Sequence, residues 1–207
     1  MDITITFKQN HRCFKKGEVI KIPVSRQPIV LVGDQGTGKS TILEILADAL
    51  GVCPGGPSFS KTKDIVDVVL PPNIVSISHD YEKGNVRGAS AFGMGGVNIA
   101  TELNMLHASH GQAAALATRS LVNQLAELVK KNPGTCGMLL LDEPDGGLSI
   151  RTAKALGMAL ARVSSRGHYV IVSLHNPIAM KLAASVVFDV ELRKNVDPAE
   201  FIDRMLE

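Results

Sequence analysis

Apolar and polar residues alternate in two short stretches near the beginning of the chain, residues 3–8 and 18–23. A period of two residues is typical of a β-strand with one face in solvent. The turn-like sequence Lys15-Lys16-Gly17 lies between the two stretches. We therefore expect residues 1–28 to form a small antiparallel β unit.

Several later stretches are apolar almost throughout, which is typical of parallel strands whose two faces are both covered. The predicted strands after the first unit are 29–32, 73–78, 138–141, 169–174 and 186–192. Apolar residues at helical spacing predict helices over about 39–50, 109–131, 149–163 and 177–184. Strands that alternate with helices predict an α/β fold with a doubly wound, mostly parallel sheet. In such a sheet the ligand lies at the carboxyl ends of the strands.

Residues 51–108 contain many glycines and few periodic segments, and they predict a loop-rich insertion region. The glycines are densest between positions 84 and 98, where a mobile loop that contacts a partner and an insertion without function are both consistent with the sequence. The length of 207 residues suits one domain, so we expect residues 1–207 to form a single α/β unit.

A phosphate-binding loop directly follows the predicted strand 29–32. Its sequence, Gly33-Asp34-Gln35-Gly36-Thr37-Gly38-Lys39-Ser40, fits G-x-x-x-x-G-K-[ST] between a strand and a helix. Glycines allow successive backbone N–H groups to surround phosphate oxygens, and the next helix points its positive end at the same anion. Lys39 would bind the β- and γ-phosphates, and the hydroxyl of Ser40 would bind Mg²⁺. We expect this loop and Thr41 to contact the nucleotide.

Two acidic residues, Asp142 and Glu143, follow the buried strand 138–141. Asp142 is placed to hold Mg²⁺, directly or through water. Glu143, one residue further, would orient and deprotonate the attacking water.

These motifs resemble an ABC-class P-loop ATPase. Residues 139–144 resemble the Walker B strand of that class, residues 145–149 its D-loop and residues 173–177 its histidine switch, so the resemblance covers about residues 29 to 177. It implies that His175 senses the γ-phosphate of ATP. The class also has a signature of the form L-S-G-G-Q, and Ala108-Ser109-His110-Gly111-Gln112 stands in its place. The resemblance implies that Ser109, Gly111 and Gln112 contact ATP bound on a second subunit.

The chain departs from the class pattern in two places. No glutamine occurs between Gln35 and Gln112, so His79 and Asp80 are the candidates for the Mg²⁺ ligand that a glutamine usually provides. The aromatic residue that usually stacks on adenine could be Phe14 or Phe7, or Arg12 could lie along the nucleotide instead. Together with the altered signature, these departures favour an arm-less member of the SMC-like, DNA-repair or phage-defence branch.

The composition adds only weak constraints on function. The formal charge of +2 is too small to indicate nucleic-acid binding. No apolar run approaches the ~20 residues of a membrane span, and the start of the chain does not resemble a signal peptide. Three widely separated cysteines, Cys13, Cys53 and Cys136, are typical of reduced thiols in a cytoplasmic protein.

The sequence therefore predicts a cytoplasmic ATPase that uses ATP and Mg²⁺, with Lys39, Glu143 and His175 as the catalytic residues. By resemblance, two copies would enclose two ATP molecules head to tail, as a homodimer that acts as a motor or switch in DNA-related or defence processes. DNA or an effector protein is the expected partner. The first alternative is the motor subunit of a membrane transporter, and the second is a slowly hydrolysing, ATP-switched scaffold for an effector such as a nuclease.

Overall fold

The computed structural model describes residues 2–52, 62–80 and 110–206. The strands in these ranges are β1 (Ile3–Phe7), β2 (Val19–Ile22), β3 (Ile29–Val32), β4 (Val66–Val69), β5 (Ile74–Asp80), β6 (Cys136–Asp142), β7 (Tyr169–Ser173), β8 (Val187–Asp189) and β9 (Lys194–Val196). The helices are α1 (Lys39–Ala49), α2 (His110–Lys131), α3 (Ile150–Ser165), α4 (Pro177–Ala183) and α5 (Pro198–Leu206).

The larger sheet contains six strands in the order β5-β6-β7-β3-β8-β9. The first five are parallel and only β9 is antiparallel to its neighbour. Because β6, β7, β3 and β8 are consecutive in this order, their carboxyl ends meet along one edge of the sheet. The predicted mostly parallel, doubly wound sheet is confirmed.

Each central strand is buried on both faces, as its apolar sequence predicts. In β3, Val30 and Val32 belong to a core formed with helices α2, α3 and α4, while Ile29 and Leu31 face a second core. Strands β6 and β7 divide their side chains between the two cores in the same alternating way. The second core is closed by α1 and by the N-terminal strands. Helices therefore cover one face of the sheet, and α1 with a β unit covers the other.

The N-terminal unit is a three-stranded antiparallel sheet in the order β2-β1-β4. The predicted pairing of the first two strands is confirmed, with Ile5 opposite Ile20. The third strand comes from the region expected to be loop-rich, and it pairs Val68 with Ile5 on the other edge of β1. Strand β5 also lies within residues 51–108.

The boundaries of several elements differ from the sequence prediction. The strand expected over 186–192 ends at Asp189, because the Asp189 carboxylate accepts hydrogen bonds from the N–H groups of Glu191 and Leu192, each at 2.9 Å, and turns the chain. Strand β9 and helix α5 follow this turn, and the sequence pattern did not predict either. Ser149 caps the start of α3, because its side chain accepts a hydrogen bond from the N–H of Thr152.

Within the described ranges, the helices are too short or too polar to cross a membrane.

The contact between α3 and α4 depends on a glycine. A Cβ atom at Gly157 would lie 2.5 Å from the backbone oxygen of Ala179 and 2.9 Å from Cβ of Leu182. Alanine usually stabilises a helix by about 1 kcal/mol relative to glycine. Here we expect Gly157→Ala to lower the free energy of unfolding by about 1–3 kcal/mol, because the two helices must separate.

Urea unfolding of the wild-type and variant proteins measures this effect. Lys154→Ala, at an exposed position of the same helix, is the matched control and should change stability by less than about 0.5 kcal/mol. A Gly157→Ala protein as stable as the wild type would show that the helix pair is not closely packed.

Candidate functional site

The carboxyl ends of β3, β6 and β7 open into a cavity of about 740 Å³. Its lining includes most of the residues predicted to bind nucleotide and all three predicted catalytic residues, Lys39, Glu143 and His175. The predicted residues in the lining are Gly33, Asp34, Gln35, Gly36, Gly38, Lys39, Ser40, Thr41, Glu143 and His175. Arg12, which the sequence offered as a residue that could lie along the nucleotide, lines the same cavity, and so do Cys13 and Met205, which the sequence did not assign to the site. The sheet order thus brings together segments that are far apart in the sequence.

The loop after β3 is wrapped around the ammonium group of Lys39. This side chain is 5% exposed, and Nζ donates hydrogen bonds to the backbone oxygens of Gly33 at 2.7 Å and Asp34 at 3.0 Å. Thr37 closes the same turn, because its hydroxyl donates to the oxygen of Asp34 at 2.8 Å. Burial lowers the pKa of Lys39 from its ordinary value, and the carboxylates of Glu143, Asp142 and Asp34 oppose this shift.

Gly38 is required at the point where the loop becomes α1. Its φ of 108° lies in a region that residues with a side chain rarely adopt. A Cβ atom there would lie 2.4 Å from the ring of Phe14 and 2.7 Å from Sγ of Cys13. The glycine therefore allows the phosphate-binding loop to pack directly against the N-terminal β unit.

The two acidic residues after β6 are fixed by a serine on the neighbouring strand. The buried hydroxyl of Ser173 donates to Oδ1 of Asp142 at 2.5 Å and accepts from the backbone N–H of Glu143 at 2.8 Å. The Ser173 side chain at the end of β7 thus fixes the positions of both the Asp142 carboxylate and the Glu143 backbone.

Glu143 has an unusual backbone conformation. Its φ is 51°, in the left-handed region that is uncommon for residues other than glycine. Its carboxylate Oε1 lies 2.8 Å from Nε2 of His175, within hydrogen-bond distance. Both side chains face the cavity, the Glu143 side chain 26% exposed and the His175 side chain 50% exposed. Strain of this kind occurs often at functional sites, where the surrounding structure holds it in place.

The turn that presents His175 is held by Asp145. Oδ2 of this buried carboxylate accepts hydrogen bonds from the backbone N–H groups of His175 at 2.7 Å and of Asn176 at 2.5 Å. The sequence motifs contain Asp145 and Ser173 but did not indicate their roles. Only two indications were present in the sequence: Ser173 is a polar residue at the end of a buried strand, and Asp145 follows shortly after Asp142 and Glu143.

The residues predicted to bind Mg²⁺ provide suitable oxygen donors. Ser40 lines the cavity, and the carboxylate of Asp142, 7% exposed, lies at the end of the adjacent β6. The described residues contain no cluster of three or more His, Cys, Asp or Glu side chains for a metal. Mg²⁺ usually needs only one or two carboxylates, with phosphate oxygens and water completing its shell. The donor set of this site therefore fits Mg²⁺ held together with a nucleotide.

Other predicted residues are not brought into the cavity or are not described. His79 and Asp80 lie at the end of β5, where Asp80 is opposite Asp142 in the strand register. His79 is not among the residues that line the cavity, and of Asp80 only the backbone is described. Ser109 lies outside the described residues. Gly111 and Gln112 occupy the first turn of α2, of which only the backbone is described. The assignment of these residues to a second nucleotide contact stays a prediction.

The chain has the fold of ABC ATPases. It is similar to cbiO1 of Clostridium perfringens, part of the ABC transporter complex cbiONQ, with 15% identity, a TM-score of 0.55 and coverage of 98% of this chain and 91% of that one. A nucleotide-free ATP-binding cassette from an ABC transporter gives 14% identity and a TM-score of 0.50, over 100% and 95% of the two chains. An inward-facing structure described as a metal-chelate type ABC transporter gives 13% identity and a TM-score of 0.54, over 96% and 84%.

No known family model and no curated protein matches the chain. At 13–15% identity, the similar structures show the fold alone. They confirm the predicted P-loop α/β architecture with its N-terminal antiparallel unit. They give no support to the expected placement in the SMC-like, DNA-repair or phage-defence branch.

The bridging hydroxyl of Ser173 allows a direct test of this geometry. We expect Ser173→Ala to lower the free energy of unfolding by about 1–3 kcal/mol, because the buried carboxylate of Asp142 loses the hydrogen bond from Ser173 and the N–H of Glu143 loses its acceptor. Denaturant unfolding measures the change.

The control is Ser165→Ala, at an exposed serine near the end of α3, which should be close to neutral. Equal stability of the two variants would show that the bridge does not hold the acidic pair.

Proposed function

We propose that this chain binds ATP with Mg²⁺ and hydrolyses it to ADP and phosphate. The observation that carries the proposal is the meeting of the phosphate-binding loop with the Glu143–His175 pair in one cavity. A loop of this sequence, with a buried lysine, is suited to a triphosphate. A carboxylate beside it is suited to the activation of water.

Each predicted residue has a role that fits its position. Lys39 and the backbone N–H groups of the loop hold the β- and γ-phosphates. When bound, Mg²⁺ would be held by Ser40 and Asp142 and would neutralise charge that develops on the phosphate oxygens. Glu143 accepts a proton from the water that attacks the γ-phosphorus, and ADP leaves. His175, which already contacts Glu143, is positioned to contact the γ-phosphate.

The proposed active form is a head-to-tail homodimer that encloses two ATP molecules. In the one chain described, the side chains of Glu143 and His175 at the cavity are partly exposed. The resemblance assigns Ser109, Gly111 and Gln112 of a second copy to the γ-phosphate. Each site is then complete only in the dimer, and hydrolysis would release the two copies.

For the partner, the similar structures favour the transport alternative over the DNA-related interpretation. One of them is an ABC transporter, and the other two are a component and a cassette of ABC transporters. We therefore propose first the motor subunit of a membrane transporter, with a DNA-related or defence switch and an effector scaffold as second candidates. The formal charge of +2 gives no reason to place DNA first.

The Glu143→Gln variant tests both hydrolysis and dimer formation. We expect ATP turnover to fall by about 10²–10⁴-fold, because the amide cannot accept the proton from water. ATP binding should persist, since Lys39 and the loop are unchanged. Light scattering with ATP and Mg²⁺ should detect a dimer that is trapped in the ATP state.

Glu127→Gln, at an exposed position of α2, is the matched control and should keep wild-type turnover. A Glu143→Gln protein that hydrolyses ATP at the wild-type rate would contradict the proposed chemistry. A Glu143→Gln protein that binds ATP tightly but stays monomeric would contradict the proposed dimer and leave the proposed hydrolysis untouched.

The class of partner can be tested with the full chain. If the chain is a transporter motor, we expect it to co-purify with a multi-span membrane protein, and double-stranded DNA should leave its ATPase rate unchanged at low salt. An ATPase rate raised by DNA and lost steeply at higher salt would support the DNA-related candidate instead, because phosphate contacts are weakened by salt. A slow rate of ATP hydrolysis that Glu143→Ala leaves unchanged would support the ATP-switched scaffold for an effector.

A further inference from the structure

The cavity must hold two chemically different parts of a nucleotide. The triphosphate is matched by the backbone of the loop and by Lys39. The nucleobase is a flat aromatic ring, and such rings are usually held by apolar or planar side chains. Apart from His175, whose ring is paired with Glu143, the largest groups of this kind in the described lining are Met205 and the guanidinium of Arg12.

The aromatic residues that the sequence suggested for this purpose are not available. Phe7 and Phe14 are each 1% exposed, and neither lines the cavity. Their rings stack on each other with centroids 4.5 Å apart, and the guanidinium of Arg193 lies 4.7 Å from the centroid of Phe14. A base could stack on either ring only if this part of the core were unpacked.

Met205 is the one large apolar side chain among the described lining residues. It is 50% exposed and lines the cavity. A methionine sulfur makes favourable contacts with aromatic rings, and the flexible side chain adapts to the shape of its partner. These properties suit the face of a nucleobase.

The helix that carries Met205 is firmly attached near the phosphate-binding loop. The preceding residue, Arg204, forms an ion pair with the completely buried carboxylate of Asp189. Asp189 ends β8, where it is opposite Val32, the residue directly before Gly33. One turn earlier in α5, Phe201 is 7% exposed and packs into the core. The ion pair and the core contact hold Met205 at the cavity.

Arg12 is also fixed, through one of its guanidinium nitrogens. One guanidinium nitrogen donates to Oγ1 of Thr41 at 3.0 Å and lies 2.7 Å from Oε2 of Glu44. Both partners belong to α1, so the guanidinium is directed along that helix. We infer that the nucleobase packs against Met205 of α5, so that this chain uses a methionine for the base contact in place of a stacking aromatic ring. The inference rests on the proposed function, because it takes the ligand to be a nucleoside triphosphate.

The chain contains no tryptophan, so a single tryptophan can report on the base contact. In Met205→Trp we expect ATP to quench the fluorescence by stacking, while inorganic tripolyphosphate, which lacks a base, leaves it nearly unchanged. Leu206→Trp is the matched control. This neighbouring residue is 81% exposed and does not line the cavity, so its fluorescence should not distinguish the two ligands.

Affinity measurements separate the base contact from the phosphate contact. We expect Met205→Ala to weaken ATP binding by about three- to tenfold and to leave tripolyphosphate binding unchanged. Lys39→Ala should weaken the binding of both ligands. The unfolding midpoint of each variant checks that it is folded.

The inference is overturned if Met205→Ala keeps wild-type ATP affinity, or if Met205→Trp responds equally to ATP and tripolyphosphate. A loss of ATP affinity in Arg12→Ala but not in Met205→Ala would assign the base to Arg12 and overturn it as well. If Lys39→Ala weakened the binding of neither ATP nor tripolyphosphate, the proposed function itself would fail. This result is distinct from a failure of the Met205 contact alone.

Discussion

The buried ammonium group of Lys39 is the interaction on which the candidate site depends. A charged group that is 5% exposed must be paired or hydrogen-bonded, and this one donates to the backbone oxygens of Gly33 and Asp34. The loop consequently folds around its own lysine. Burial lowers the pKa of Lys39, while the nearby carboxylates of Asp142 and Glu143 favour its charged form. The acidic pair thus helps to keep the phosphate-binding loop cationic.

The acidic pair is in turn held by neighbouring strands. Ser173 at the end of β7 fixes Asp142 and the backbone of Glu143, and Asp145 after β6 fixes the turn at His175. Each strand therefore supplies the group that positions the functional residue of the other. The left-handed backbone of Glu143 is stable in this setting because its N–H and its carboxylate both have partners. A change at either strand end is expected to disturb both residues.

The sequence was sufficient to predict the central sheet and most of the residues that line the cavity. Where an apolar stretch such as residues 29–32 is followed directly by polar residues, the sequence indicates a buried strand and also the strand end at which site residues lie. Short edge elements gave no such signal: β9 is Lys194-Asn195-Val196, which has no apolar alternation. The roles of Ser173 and Asp145 depend on strand order and register, which periodicity does not determine. The ABC-type fold was predictable, but the similar structures do not favour the branch that the sequence suggested.

In the proposed ATP complex, the cavity has a phosphate half and a base half that are anchored in different ways. The phosphate half is formed by the ends of β3, β6 and β7, where Lys39, Glu143 and His175 are locked by hydrogen bonds. The base half depends on β8, whose terminal Asp189 holds the helix of Met205 through Arg204. These four strands are consecutive in the sheet, so each parallel strand end provides one part of the site. Because the two halves have separate anchors, a change at Met205 can alter the base contact while the phosphate-binding loop and the acidic pair stay intact.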